Sequence, residues 1–496
     1  MASSSSLTDA TVPLLPQQSP PPPPPQSESI VIAEHEIHIA SPARGLCSSE
    51  QPKPSASDGS RRLASLDVFR GLAVVLMILV DDAGGAFPCI NHSPWFGITL
   101  ADVVMPFFLL IVGLSAGLVF KNVSNKPAAT QKVVVRFIKL FLLGLLLQGG
   151  YFHGLNNLTY GVDIRHIRWL GVLQRISIGY LVVSLAEIWL VGDMTVDSFM
   201  AFVKKYSTQW ILMILLSLTY VSLLYGLYVP NWEFEIMYKD AASNLNGTIQ
   251  TQTVQCGFRG SLGPPCNAAG FIDRLLLGEN HLYQHPVYRR TKECSVNSPD
   301  YGPLPPKSPR WCLAPFDPEG ILSSFMAIVT CFIGLHYAHI IVNFKSNRKR
   351  TVFWISSSII LLVFGCILYV SGMPLSKPLY TLNYMCITTA LGGFLLTIIY
   401  LIVDVKDIRW PTLLLQWVGM NALLVYALAA CDLFAAALQG FYWRSPQNNL
   451  VNATELLFET LLHSSRWGKL VFVLVEILFW CIISALLHMK GIYWKM

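Results

Sequence analysis

Ten separate runs of apolar residues, each about twenty long, set the limits on what this chain can fold into. They fall near 67–87, 99–120, 133–153, 168–191, 209–229, 318–343, 352–371, 380–403, 412–435 and 467–489. Each is close to the length that crosses about 30 Å of hydrocarbon as a helix. Lipid supplies no water to backbone N–H and C=O groups, so a spanning segment must be a helix or part of a closed barrel. These runs are continuous rather than alternating every second residue, which selects helices. Composition agrees: 53% of the 496 residues are hydrophobic and 13% charged, against about 25% charged in an ordinary soluble domain. The expected fold is therefore an all-α polytopic membrane protein of about ten transmembrane helices, with one large loop over residues 230–317. The net charge of +6 is modest, and no basic cluster is interleaved with aromatics. The lipid bilayer is thus an expected partner and nucleic acid is not. No internal repeat of the kind that marks inverted transporter halves is visible.

Residues 1–60 are rich in Ser and Pro, including Pro20 to Pro25, and lack the periodic apolar pattern that could order a core. They are expected to form a disordered cytosolic tail, leaving 61–496 as the membrane domain. Met1 to Ala10 has neither a basic nor an apolar region of a signal peptide, so the first span is expected to direct insertion. Asp9 with Leu14 and Leu15 loosely resembles an acidic dileucine sorting signal, one residue off the usual spacing.

Ten spans put both termini on one side, and the basic residues say which. Arg61, Arg62, Arg70, Lys121, Lys126, Lys132, Lys204, Lys205, Lys345, Arg348, Lys349, Arg350, Lys406, Arg409, Lys490 and Lys495 all fall on that side, which makes it cytosolic. Arg165, Arg168 and Lys377 are among the few exceptions in the opposite short loops. The 230–317 segment then faces a lumen or the exterior. It holds Cys256, Cys266, Cys294 and Cys312, enough for two disulfides in any of three pairings. Sequons at Asn157, Asn246 and Asn452 fall on the same side. Most remaining cysteines lie in spans and read as small core hydrophobes.

An ionisable residue within a span is costly and is a candidate for function or for a structural pair. Asp67 and Arg70 are three apart at the start of the first span, a spacing that allows a local ion pair. At its other end stand Asp81 and Asp82, followed by the short loop Asn91-His-Ser-Pro-Trp-Phe-Gly97 and then Asp102. Two acids flank a histidine at one mouth. Histidine can take a proton from an amine or attack a thioester, and a nearby carboxylate orients the ring and stabilises its cation. By the same reading Asp102→Asn keeps the hydrogen-bonding shape and should cost less than loss of His92. Arg136 and Lys139 lie near a cytosolic helix start. Arg175 lies several residues into the fourth span, where it could neutralise Asp102 or Asp81 or line a polar passage. Asn421 puts an amide near the cytosolic end of the ninth span, where a helix-to-helix hydrogen bond is the simplest role. His281 and His285 are four apart, but Pro286 and the lack of a third ligand argue against a metal. No Walker loop or dinucleotide fingerprint is present.

Arg62-Leu-Ala-Ser-Leu-Asp-Val-Phe-Arg-Gly71, His92-Ser-Pro-Trp-Phe-Gly-Ile-Thr-Leu-Ala-Asp102, Gly171-Val-Leu-Gln-Arg175, the Gly270 to Pro286 stretch, Asp317-Pro-Glu-Gly320 and Gly419-Met-Asn421 occur in this order. Together they resemble the heparan-α-glucosaminide N-acetyltransferase family, and they cover nearly everything from residue 62 onward. The resemblance implies transmembrane acetylation: acetyl-CoA used from the cytosol, and an acetyl group delivered to a terminal glucosamine in the lumen of a lysosomal or vacuolar compartment, or another endomembrane or the plasma membrane. His92 matches the family's active-site histidine. Position 81 is Asp where the animal lysosomal enzyme has Asn. That enzyme also carries a luminal N-terminal domain and an extra first span, which the tail replaces here.

The combined expectation assigns catalysis to His92, Asp102 and Asp81. Arg70, Arg136, Lys139, Arg175 and Asn421 are assigned to acetyl-CoA, and Trp95, Asp273 and His281 to the acceptor, with no metal. A homodimer is compatible with it. A secondary transporter, or an acyltransferase of the same architecture with another acceptor, are the rival readings.

Overall fold

The computed structural model describes residues 63–496, apart from 122, 150, 154–157, 161–163, 193–195, 197, 239–247, 284–285, 315–317 and 495–496. The tail, the dileucine pattern, Asn157, Asn246, His285 and Asp317 lie outside the described residues.

Among the described residues all ten apolar runs are mainly helical, the run at 133–153 ending in a short strand, Tyr151–His153. The long helices are α1 (Ala64–Ala83), α2 (Leu100–Val119), α3 (Lys126–Leu146) and α4 (Val172–Leu190). After a short α5 (Phe199–Lys205) comes α6 (Ser207–Gly226), and α7 (Ala268–Leu277) lies in the large loop. Then follow α8 (Ile321–Asn343), α9 (Asn347–Val370), α10 (Leu382–Tyr400), α11 (Leu413–Met420), α12 (Ala422–Ala429), α13 (Leu433–Gln439), α14 (Leu450–Leu462) and α15 (Ser465–Met489). Among the described residues, seven helices are long and apolar enough to cross a membrane, and α11 with α12 make an eighth if a pair bent by 73° counts as one span. The protein is an integral membrane protein. Two expected spans, α1 and α3, are helical but carry too many charges to meet that apolar measure: Asp67, Arg70, Asp81 and Asp82 in α1, and Lys126, Lys132, Arg136 and Lys139 in α3. The expected ninth span is broken at Asn421.

Burial sorts these helices into two kinds. α8 is buried along almost its whole length, as is α2. By contrast α9 turns Ile360, Val363, Ile367 and Val370 outward, and α6 turns Ile211, Leu215 and Leu218 outward. Such apolar outer faces suit lipid rather than water. Small residues set the tight crossings. A Cβ on Gly113 would lie 1.9 Å from the Cys331 carbonyl oxygen, and one on Gly419 would lie 1.7 Å from that of Asp67. Backbones come this close only where side chains vanish, and close backbone approach is what holds helices together when water does not drive them.

One end of the bundle carries the large loop. Its hairpin pairs Trp232–Tyr238 with Thr248–Val254. Disulfides join Cys256 to Cys266 and Cys294 to Cys312, which selects one of the three pairings the sequence left open. The α1–α2 loop is at this same end, because the Trp95 ring N–H donates to the Leu262 carbonyl (2.9 Å).

Candidate functional site

The α1–α2 loop is fixed from three sides. Asn91 Oδ1 accepts from the His92 amide (2.8 Å) and from Arg290 of the large loop (3.0 Å). The Gly97 amide donates to the Leu375 carbonyl (2.9 Å), in the α9–α10 loop, and Gly97 supplies the φ of +119° that this turn requires. Buried Trp95 packs edge-on against Tyr288. A histidine held this way loses little further entropy when it acts.

The start of α2 shapes the rest. Asp102 sits in its first turn, where a carboxylate suits the helix N-terminus. Its Oδ2 reaches back to the Thr99 amide (3.1 Å) and hydroxyl (2.9 Å), and also accepts from the Ser93 amide (3.2 Å). Its Oδ1 lies 2.8 Å from His92 Nδ1. The Tyr384 hydroxyl donates to the Asp102 backbone carbonyl. Three donors keep the carboxylate charged, so Nδ1 carries the proton and the Nε2 lone pair is free. That is the tautomer a base or nucleophile needs. The His92 side chain is 28% exposed while Asp102 is fully buried.

Lys377, in the α9–α10 loop, was legible in the sequence only as an exception to the charge bias. Its Nζ lies 3.2 Å from both His92 ring nitrogens. Burial and this ammonium lower the His92 pKa below its ordinary value, outweighing the opposite pull of Asp102. The imidazole is therefore neutral at pH values where a free histidine begins to charge.

Glu319, which closes the loop before α8, holds a second network. It pairs with Arg175 (3.0 Å) and Arg168 (3.1 Å), and Arg175 also donates to Ser323 (3.2 Å). Burial opposes its charge, but Lys377, Arg175 and Arg168 together win and hold its pKa below the usual carboxylate range. Arg175 therefore pairs with neither Asp102 nor Asp81, as the sequence allowed. It enters α4 at the end of the bundle that carries His92, and its partner comes from a loop 144 residues away.

The other expected residues do not converge on His92. Arg70 binds Asp67 (2.8 Å), Ser115 (3.1 Å) and the Gly419 carbonyl (3.4 Å). Arg136 lies exposed over the Tyr180 ring, and Lys139 is exposed on the same helix. Asn421 bonds the Ile492 carbonyl (3.4 Å) and the Trp494 amide (3.1 Å), tying the segment after α15 to the α11–α12 break. Asp273 is buried and accepts from the Ile321 amide (2.8 Å). Burial pushes its pKa up to about 6 despite that bond. Trp95 and Asp273 thus hold loops in place and present no open surface. His281 Nδ1 lies 2.8 Å from the Ile167 carbonyl, beside Trp169, at a small recess lined also by Arg168, Tyr283 and Glu319. Asp81, at the end of α1, acts electrostatically on Lys377.

A further acid–histidine pair, Glu187 with His339 (2.9 Å), lies toward the opposite end of α8. There the ring is stacked on Tyr206 at 3.7 Å and only 3% of the side chain is exposed. Packing closes that pair, whereas His92 keeps an open nitrogen.

Residues 62–230 match a family model described as heparan-alpha-glucosaminide N-acetyltransferase, catalytic. The mouse protein of that name is 28% identical over 480 residues, covering 92% of this chain and 64% of the relative. The human one is 27% identical over 456 residues, covering 88% and 60%. The chain thus spans less than two thirds of the length of these relatives. His92 and Asp102 fall inside the matched region, and Glu319 and Lys377 fall beyond it. This chain is accordingly similar to the heparan-alpha-glucosaminide N-acetyltransferases over most of its length, and its residues 62–230 match their catalytic family model.

Proposed function

We propose that the protein is a membrane-embedded acetyltransferase that takes an acetyl group from cytosolic acetyl-CoA and delivers it to a luminal amine, the terminal glucosamine of a glycan. The observation that carries this reading is the His92–Asp102 pair: a neutral, oriented imidazole with Nε2 open, within the stretch that matches the catalytic family model. An amine attacks only when uncharged, so Nε2 serves either as its base or as a transient acetyl carrier. Arg70, Arg136 and Lys139 are the cations assigned to coenzyme A phosphates, and Asn421 and Arg175 border the path of the pantetheine arm. His281, Trp95 and Asp273 are the residues assigned to the acceptor. Both termini are assigned to the cytosol and the protein to a lysosomal or vacuolar membrane.

Purified protein in detergent should move radiolabelled acetyl from acetyl-CoA to glucosamine or to a glucosamine-ended saccharide. No labelled product with any amine overturns the reading. The bent α11–α12 pair is the feature that favours a transporter instead, since broken helices commonly line substrate paths. Consumption of acetyl-CoA separates the two.

A further inference from the structure

The α9–α10 loop is built to deliver one ammonium. Lys377 stands between Ser376 and Pro378, in a loop held by hydrogen bonds on both sides of it. The Ser376 amide donates to Thr381 Oγ1 (3.3 Å), the Thr381 hydroxyl to the Pro374 carbonyl (3.0 Å), and the Tyr220 hydroxyl to the Leu379 carbonyl (3.0 Å). The Leu375 carbonyl accepts from Gly97, which ties this loop directly to the one that carries His92. Tyr380 takes a left-handed φ of 52° to complete the turn. Such fixing is costly for an ion pair that merely decorates a surface, and Lys377 is only partly buried.

The contact itself is informative. An ammonium 3.2 Å from both ring nitrogens cannot lie on the in-plane lone-pair axis of either, so it sits over the ring face. It therefore leaves the Nε2 lone pair open while standing within hydrogen-bond reach of an atom bonded next to whatever Nε2 meets.

We propose that Lys377 is a catalytic residue: its ammonium receives the oxygen of the acyl carbonyl as that carbon is attacked. The proposal rests on the acetyl-transfer reading. In direct transfer the amine nitrogen bonds to the thioester carbon and Nε2 takes the amine proton. The carbonyl electron pair moves onto oxygen beside Lys377, then returns as the C–S bond breaks, and the thiolate takes the proton from Nε2. With an acetyl carrier, Nε2 itself makes the bond and the thiolate leaves. The amine then attacks the acetyl carbon, the C–N bond to the ring breaks, and the amine proton goes to the thiolate. In both routes the developing oxyanion is the group that Lys377 receives. A preset charge aimed at a developing oxyanion is among the largest single contributions to acyl transfer. The charged groups around the ring are Asp102 from α2, Lys377, and Glu319 before α8 with its partners Arg168 and Arg175. Asp81 of α1 and Lys377 act on each other electrostatically. Among these Lys377 is the cation that touches the imidazole.

Full-length Lys377→Met and Lys377→Arg, purified in detergent and checked for monodispersity, test this. With acetyl-CoA and glucosamine, Lys377→Met should lower kcat by about 10²–10³-fold with KM little changed, and Lys377→Arg should recover part of the loss. Reaction of His92 with diethyl pyrocarbonate, read on its own peptide by mass spectrometry, needs no activity. Its pH midpoint should move upward in Lys377→Met and return toward wild type in Lys377→Arg. A Met variant with wild-type kcat, or one whose loss lies wholly in KM, overturns the catalytic role. An unmoved midpoint overturns the placement of the ammonium on the ring. Wild-type protein that transfers nothing sinks the acetyltransferase reading itself, a result distinct from either.

Discussion

At the scale of single residues, Asp102 carries the most consequence per atom. One oxygen holds His92 and the other accepts three donors. The sequence suggested that Asp102→Asn would be mild because it keeps the shape. The hydrogen-bond pattern reverses that. An amide must turn its NH₂ either toward Ser93 and Thr99, where donors would meet donors, or toward His92. In the second case it donates to Nδ1 and moves the ring proton to Nε2, removing the lone pair that the proposed reaction uses. Asp102→Asn should therefore cut acetyl transfer as deeply as His92→Ala, by about two to four powers of ten, with folding retained. Steady-state kinetics on monodisperse variants decide it, and a near-normal Asn variant would remove the pair from the mechanism. The pH dependence has a definite sign. The folded pKa of His92 is depressed, so the neutral ring persists below its ordinary titration range, and activity should fall only as pH drops through the lowered value. Stability linked to this group is likewise present above the unfolded pKa and lost on that descent. Asp273 runs the other way. Its folded pKa is raised to about 6 from 3.8, so the stability tied to its proton is full below about pH 4 and is lost as pH rises through 6. Asp273→Asn, which mimics the protonated acid, should melt higher than wild type at pH 7 and show no such advantage at pH 4. Thermal melts in detergent at the two values check this.

At the scale of elements, the α1–α11 crossing links the break at Asn421 to the helix that leads into the loop carrying His92. Gly71 and Gly419 each leave room for the other helix's backbone, and a Cβ at Gly419 would fall inside the Asp67 carbonyl. Gly419→Val should force the two helices apart, at about 1–3 kcal/mol or more. The expected result is a lower melting temperature and loss of monodisperse protein, with any surviving fraction retaining His92 reactivity toward diethyl pyrocarbonate. A variant that melts like wild type would mean the crossing relaxes at no cost. The elements also show where periodicity misleads. The apolar run 412–435 reads as one span, yet Asn421 spends its amide on Ile492 and Trp494 and the helix bends by 73° there. A run of apolar residues fixes burial in lipid. It does not fix continuity, because a partner from elsewhere in the chain can satisfy the groups freed at a break.

At the scale of the whole molecule, the expected orientation places the disulfide-bearing loop in the lumen. Protease added to sealed vesicles of native orientation should spare residues 230–317, and cleavage there in intact vesicles would reverse the assignment. The bridges Cys256–Cys266 and Cys294–Cys312 should each contribute about 2–4 kcal/mol, so reduction should lower the melting temperature and expose the loop to protease. The sequence by itself determined the helical class, because only helices satisfy the backbone across continuous twenty-residue apolar runs. It also determined the His92 and Asp102 candidates, since one helix start and its preceding loop keep them ten residues apart. Only the tertiary structure decided which helices touch. It set Lys377 against His92 across 285 residues, gave Arg175 to Glu319 rather than to Asp102 or Asp81, and closed Asn421 with the chain's own later segment. The physical reason is that apolar periodicity tells a helix to be buried but not beside which neighbour. That choice is made by small-residue crossings and by pairing of buried charges, which depend on all the helices at once.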